Sequence, residues 1–300
     1  MNLIGEYMNG NVHTKIYEDG TKVRETEDDD FRPAFAENMD VKITDRCTGT
    51  NCAFCHEGSS PQGKQSDILN EKFIDSLHPF TECALGGGSV FEYPDFIPLL
   101  ERLKEKQVIP NITVNQIHFL QNYDKIKALT EKRLVYGVGV SLVNPTMEFI
   151  EKVQSLPNAV VHTIVGILNP WQMEKLARHD LKVLLLGYKE LRRGVSFKVE
   201  NERSIAANTF FLESNLKWFL NSVKVLSFDN LALDQLHVKE KLSPEAWEQF
   251  YGGDDGTFTF YIDTVNRQFA RSSTAPMDKR YPLLDNVDDM FNVIRKETIE

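Results

Sequence analysis

Cysteine is scarce, long apolar runs are missing and positive charge is never concentrated, and each shortage closes off a class of protein. Only four cysteines occur in 300 residues. Three share one short loop and the fourth stands elsewhere. That is not the spaced framework of a small secreted domain, and it points to a reducing, cytoplasmic setting. No apolar stretch approaches the roughly 18 residues of a membrane span, so no membrane partner is expected. Residues 1–10 lack the basic and apolar regions of a secretion signal. Lysine and arginine total 34 against 44 acidic residues, a formal charge of −10. No basic block relieves it, which argues against extended nucleic-acid binding. A hydrophobic content of 41% excludes disorder and suffices for a large core. A small molecule, a nucleotide or a short peptide remains open as substrate.

What is present is a rhythm. From Met39 onward, short apolar strands alternate with helical patterns, the signature of parallel βα units. Strands are expected over residues 39–44, 82–87, 109–115, 134–142, 159–167 and 182–187. Helix starts are read at Asn70, ahead of Phe73, Ile74 and Leu77, at Pro94, at Asn144-Pro145 and at Asn169-Pro170. Strands this apolar are expected to be buried on both faces. Six such units predict an α/β fold, a partial (β/α)6 TIM-like barrel over residues 37–222, in preference to a doubly wound sheet. Residues 1–36 read as an N-terminal β-hairpin turning at Asp19-Gly20 and an acidic connector over 25–30. Residues 223–300 read as a C-terminal α+β cap over the barrel mouth.

The chemistry concentrates after the first strand. Cys47, Cys52 and Cys55 place three thiols within nine residues. A structural zinc site wants four closed ligands, and this loop offers three thiolates. An iron–sulfur cluster also takes thiolates, and three of them leave one iron of a [4Fe–4S] cubane free for a ligand. Either reading puts the loop at the carboxyl end of a strand, where ligands gather in parallel α/β folds. The triple glycine Gly86-Gly87-Gly88, Asn115 and Ser141 fall at the same end of later strands.

Cys47-x4-Cys52-x2-Cys55 after a first barrel strand resembles the cluster loop of the radical S-adenosylmethionine superfamily, whose usual spacing is Cys-x3-Cys-x2-Cys. Phe54 matches the aromatic residue that borders the adenine in that family. Gly86-Gly87-Gly88-Ser89 resembles the Gly-Gly-Glu-Pro segment whose backbone meets the methionine amino group, with Ser89 where Glu is common and Val90 where Pro is common. Asn115, Ser141 and Gly166 stand at strand ends where that family contacts its cofactor. The resemblance covers residues 39–190. It implies a [4Fe–4S] cluster on the three cysteines, S-adenosylmethionine on the open iron, and an electron donor such as flavodoxin or ferredoxin. It also implies reductive cleavage to a 5′-deoxyadenosyl radical that takes hydrogen from the substrate.

The other polar residues invite plainer readings. Cys83 is expected as a small core residue, and its solitude leaves no thiolate set for a second cluster. His56 and Glu57 read as surface residues or supports of the site rather than catalytic groups, His162 as a satisfied core histidine, and Arg192 with Arg193 as a solvated charge pair. Asp229, Tyr261 and Asp263 are substrate-side candidates. The alternative to radical chemistry is a βα-barrel binding protein stapled by zinc.

Overall fold

The structure is a computed structural model and describes residues 2–50 and 52–297. The chain opens on an antiparallel meander of three strands, β1 (Leu3–Asn9), β2 (Val12–Tyr17) and β3 (Lys22–Glu25). The expected hairpin is the second half of it, with Ile16 opposite Lys22 across the turn and Gly20 at φ +88. β1 was not expected, because it buries Gly5 and Asn9 where an apolar alternation would have marked it. Asn9 holds the connector instead. Its side-chain oxygen accepts from the Ala34 and Phe35 amides at 2.8 and 2.9 Å, and its Nδ2 donates to the Phe35 carbonyl.

Seven parallel strands follow in one sheet: β4 (Asn38–Thr44), β5 (Glu82–Gly87), β6 (Ile109–Asn115), β7 (Gly137–Ser141), β8 (Ala159–Ile164), β9 (Lys182–Leu186) and β10 (Val225–Phe228). Each lies beside its successor, without the reversal of order that defines a doubly wound sheet. β11 (Thr259–Asp263) then runs parallel to β4 on its free side, and β12 (Gln268–Ala270) and β13 (Arg280–Pro282) complete a ten-stranded sheet. Residues 223–300 therefore do not stand apart as a cap. They extend the sheet at both edges, because Phe260, Ile262 and Phe269 bury the same apolar face as Met39 and Val41.

The two faces of the sheet differ. Val41, Leu85, Ile112, Val140, Val161 and Val183 pack under helices such as Phe96–Glu105 and Met147–Gln154, whose Leu99, Leu103, Phe149 and Val153 point inward. Each such side chain contributes about 1.5–3 kcal/mol on burial. The intervening residues, among them Asp40, Lys42, Asn111, Thr113 and His162, line a cavity of about 2000 Å³. The expectation of strands buried on both faces is corrected accordingly. The cavity-facing positions carry these polar residues together with apolar ones such as Val160, Leu184 and Leu186.

Two helix starts are also corrected. No α-helix follows Asn70. The crossover from β4 to β5 uses the 3₁₀ turns Ile68–Asn70 and Lys72–Ser76, with Glu71 extended between them and paired to Arg267. Asn70 donates to Asp67 instead of capping. The helix Met147–Gln154 is capped by Thr146, not Asn144. At Asn169-Pro170 the expectation holds, with Asn169 and Gln172 forming a reciprocal capping box.

Candidate active site at the cysteine loop

Residues 45–66 leave β4 as a long loop, and its Cys47, Cys52 and Cys55 are free, half-buried and on the wall of the cavity of about 2000 Å³. Loop carbonyls and amides need partners, and the surrounding strand ends supply them. The Cys47 amide donates to the Ser60 carbonyl at 2.9 Å, and the Ser60 amide to the Asp45 carbonyl at 3.0 Å. The Thr48 amide donates to Glu92 at 2.7 Å, while His118 Nε2 hydrogen-bonds the Thr48 carbonyl at 2.6 Å. Arg193 donates to the carbonyls of Cys52 and Ser59 at 3.1 and 3.0 Å, and Arg192 donates to that of Glu57. Arg193 is thus half-buried against the loop, while Arg192 is exposed as expected yet still reaches it. They open the helix Arg193–Ser214 and grip the loop from the far edge of the site.

Around the thiols, Asn115 Nδ2 donates to Cys52 Sγ at 3.5 Å, and Thr50 Oγ1 lies 3.1 Å from Cys47 Sγ. Burial pushes both the Cys47 and Cys52 thiols up, and the neighbouring cysteines add to the effect at Cys52. Among the described residues, no three His, Cys, Asp or Glu side chains converge to grip a single ion. The extra length between Cys47 and Cys52 includes a turn at Gly49, φ +74, while Asn51 lies outside the described residues.

The triple glycine divides its labour. A β-carbon on Gly88 would sit 2.1 Å from the Arg46 carbonyl oxygen, and one on Gly87, at φ +108, 2.4 Å from the Thr44 oxygen. These two let β5 and the cysteine loop run side by side, with the Gly88 amide donating to Thr44 at 2.7 Å. Gly86 meets nothing within 4 Å and opens onto the cavity. Phe54, Asn115 and Ser141 also line the cavity, Phe54 edge-on to Phe197 at 5.5 Å. Two expected residues lie off it. Ser89 is buried with its amide on the Arg46 carbonyl, and Gly166, at φ +80, is packed beneath Ile205.

The cavity floor holds residues that the plain reading of the sequence misplaced. His162 is not a satisfied core histidine. Its Nδ1 is buried without a hydrogen-bond partner, and burial together with Lys189 brings its pKa down to about 4, so the ring is neutral at pH 7. Asp40 is reached by solvent yet enclosed by the cavity walls. That enclosure, with Asp255 and Asp229 nearby, raises its carboxyl although Lys189 opposes them. Glu57 supports the loop and does not sit on the surface, as its contacts with Lys42 and His56 show. Burial would raise it, but His56 and the Lys42 ammonium hold it well below the usual range. Asp263 is drawn to the same ammonium, away from any substrate-side position. Tyr261 lines the cavity opposite Asp40 in register. Asp229 lines it too while capping the helix Asn230–Gln235. Cys83 is a core residue, pushed up to about 12 by burial. Asp40 and Lys42 were overlooked, although their alternation with Met39, Val41 and Ile43 marked them as facing away from the helices.

No family model matches the chain, and no curated protein matches it in sequence. Solved structures do match it. The fold is similar to that of SuiB from Streptococcus suis bound to precursor peptide SuiA, with a TM-score of 0.51 and 13% identity, covering 80% of this chain and 60% of that one. SuiB bound to S-adenosylmethionine aligns with a TM-score of 0.49 at 14% identity, over the same shares of both chains. The chain therefore spans about 60% of the length of the solved structures it resembles. At this identity the likeness shows the fold: mixed α/β with a mostly parallel central sheet. No helix among the described residues is long and apolar enough to cross a membrane.

Proposed function

We propose that this chain is a single-cluster radical S-adenosylmethionine enzyme built on a partial (β/α)6 barrel over residues 37–222, with 1–36 flanking it and strands of 223–300 extending its sheet at both edges. One observation carries the reading: three thiols of a single loop share a cavity with Gly86, Asn115 and Ser141, all at the carboxyl ends of parallel strands. Three thiolates on one loop suit a cluster, in which each takes a different iron and one iron stays open, better than a tetrahedral ion that they leave one ligand short. The chemistry of the donor set and the open space at Gly86 both fit the two cofactors.

When bound, the cluster and S-adenosylmethionine would supply a radical able to take hydrogen from an unactivated C–H bond. The chain's own residues do the rest. Cys47, Cys52 and Cys55 hold the iron, and Asn115 steadies Cys52 through its Nδ2. Gly86, where an added β-carbon would meet nothing within 4 Å, leaves room for an amino acid moiety at the strand end, Ser141 offers a hydroxyl, and Phe54 gives an apolar wall for a base. Asp40, neutral His162 and Tyr261 then face the substrate. The neighbour solved with a precursor peptide makes a peptide the first substrate class to try, ahead of a nucleotide or another small molecule. Flavodoxin or ferredoxin is the electron donor to supply.

Anaerobic purification followed by metal analysis tests this. Brown protein with iron and sulfide in near equal amounts is expected, and the Cys52→Ala variant should lose both. Colourless protein with one zinc per chain would favour the stapled binding protein instead.

A further inference from the structure

Lys42 is among the largest fully buried side chains, at 1% exposure, and it belongs to neither the apolar core nor the thiol set. Its ammonium pairs with three carboxylates: Asp45 at 2.6 Å, Glu57 at 3.1 Å and Asp263 at 3.5 Å. The origins of these three carboxylates matter. Asp45 precedes Cys47 and Glu57 follows Cys55, so the two bracket the thiols, while Asp263 ends β11. The backbone adds to the tie, since the Thr264 amide and hydroxyl both donate to the Lys42 carbonyl, at 3.1 and 2.6 Å. A buried ion cluster of this kind is seldom the most stable filling for its volume, because apolar residues of similar size often do better. What it supplies is a fixed geometry among the segments that meet in it.

We propose that Lys42 is a positioning residue that locks both ends of the cysteine loop to the β4–β11 seam, making the C-terminal strand β11 part of the support of the thiol site. The consequence for a cluster rests on the reading of the loop given above, whereas the lock itself is a property of the metal-free chain. Without the ammonium, Asp45, Glu57 and Asp263 repel one another in an enclosed space, and the loop is the part free to move away.

The test is alkylation of the metal-free, full-length protein by iodoacetamide, followed at each cysteine by mass spectrometry. Cys83, buried on β5, reports whether the fold is intact. In Lys42→Met, the thiols of Cys47, Cys52 and Cys55 should react on the order of tenfold faster while Cys83 stays protected. Lys42→Arg, which keeps a cation, should restore most of the protection. Unchanged rates at the three loop thiols in Lys42→Met, with Cys83 protected, would overturn the proposal. Should Cys83 also label in that variant, Asp263→Asn decides, since it removes the charge that ties Lys42 to β11 while its remaining amide oxygen can still accept from the Asn266 amide. A selective rise at the loop thiols supports the lock, and wild-type rates overturn it. Wild-type protein that takes up no iron yet shows the selective thiol pattern would leave the lock standing and remove the proposed function alone.

Discussion

Adding one methyl group at Gly86 and at Gly88 should have opposite consequences, although the two glycines are two residues apart, one in β5 and one just past its end. In Gly88→Ala the new carbon would lie 2.1 Å from the Arg46 carbonyl oxygen and 2.7 Å from its carbon. Both obstacles are backbone, held in place by the Ser89 amide on the same carbonyl at 2.8 Å, so no side chain can swing aside. Relief requires β5 and the root of the cysteine loop to separate, an overpacking penalty of about 2–3 kcal/mol. For a chain of this size that lowers the melting temperature by about 3–5 °C. In Gly86→Ala the same carbon meets nothing within 4 Å, and the backbone there is not left-handed. Its folded state should be unharmed, or gain about 0.4–1 kcal/mol from the stiffer unfolded chain. Because that methyl projects into the cavity beside the cysteine loop, Gly86→Ala should weaken S-adenosylmethionine binding while Gly88→Ala loses stability first. Urea denaturation and calorimetric titration of the iron-loaded protein separate the two. Equal destabilisation of both variants, or full-strength binding by Gly86→Ala, would refute the division of labour.

Other expectations follow from single residues. His162 falls from 6.5 in the unfolded chain to about 4 in the fold, so protons favour the unfolded state between those values. Stability should drop as pH falls from about 6.5 to about 4, by up to about 3 kcal/mol, and level off below; His162→Phe should flatten that slope in pH-dependent urea melts. Glu37 is fully buried, with Arg24 at 2.7 Å stacked 4.3 Å over Phe258. Arg24→Ala should therefore cost about 2–3 kcal/mol and speed proteolysis in the connector over residues 25–30. Asn115 caps the helix Gln116–Gln121 and donates to Cys52. Asn115→Ala should lose about 1 kcal/mol of stability and shift the visible spectrum of the iron-loaded protein.

Periodicity made the parallel strands legible, because each buries β-branched or leucine side chains at every second position against a helix. The same alternation also announced the cavity, but reading the strands as uniformly apolar hid it: Asp40, Lys42, Asn111, Thr113 and His162 are the polar residues among the cavity-facing positions. The thiols and the glycines could be found from spacing along the chain. Lys42 could not, because its partners Asp45, Glu57 and Asp263 come together only when β11 lies beside β4, more than 200 residues later. The grip of Arg192 and Arg193 on the loop is likewise a tertiary fact, as charged residues after a strand look the same whether they meet water or a carbonyl. β1 escaped notice for a local reason, since Gly5 and Asn9 are its buried residues and neither signals a strand.

The most direct measurement is formation of 5′-deoxyadenosine. Protein purified and loaded with iron and sulfide without oxygen, reduced with dithionite and given S-adenosylmethionine, should release 5′-deoxyadenosine and methionine. Alanine variants of Cys47, Cys52 or Cys55 should release neither. Iron-loaded wild-type protein that leaves S-adenosylmethionine intact on reduction, or product formation that survives loss of Cys52, would contradict the account.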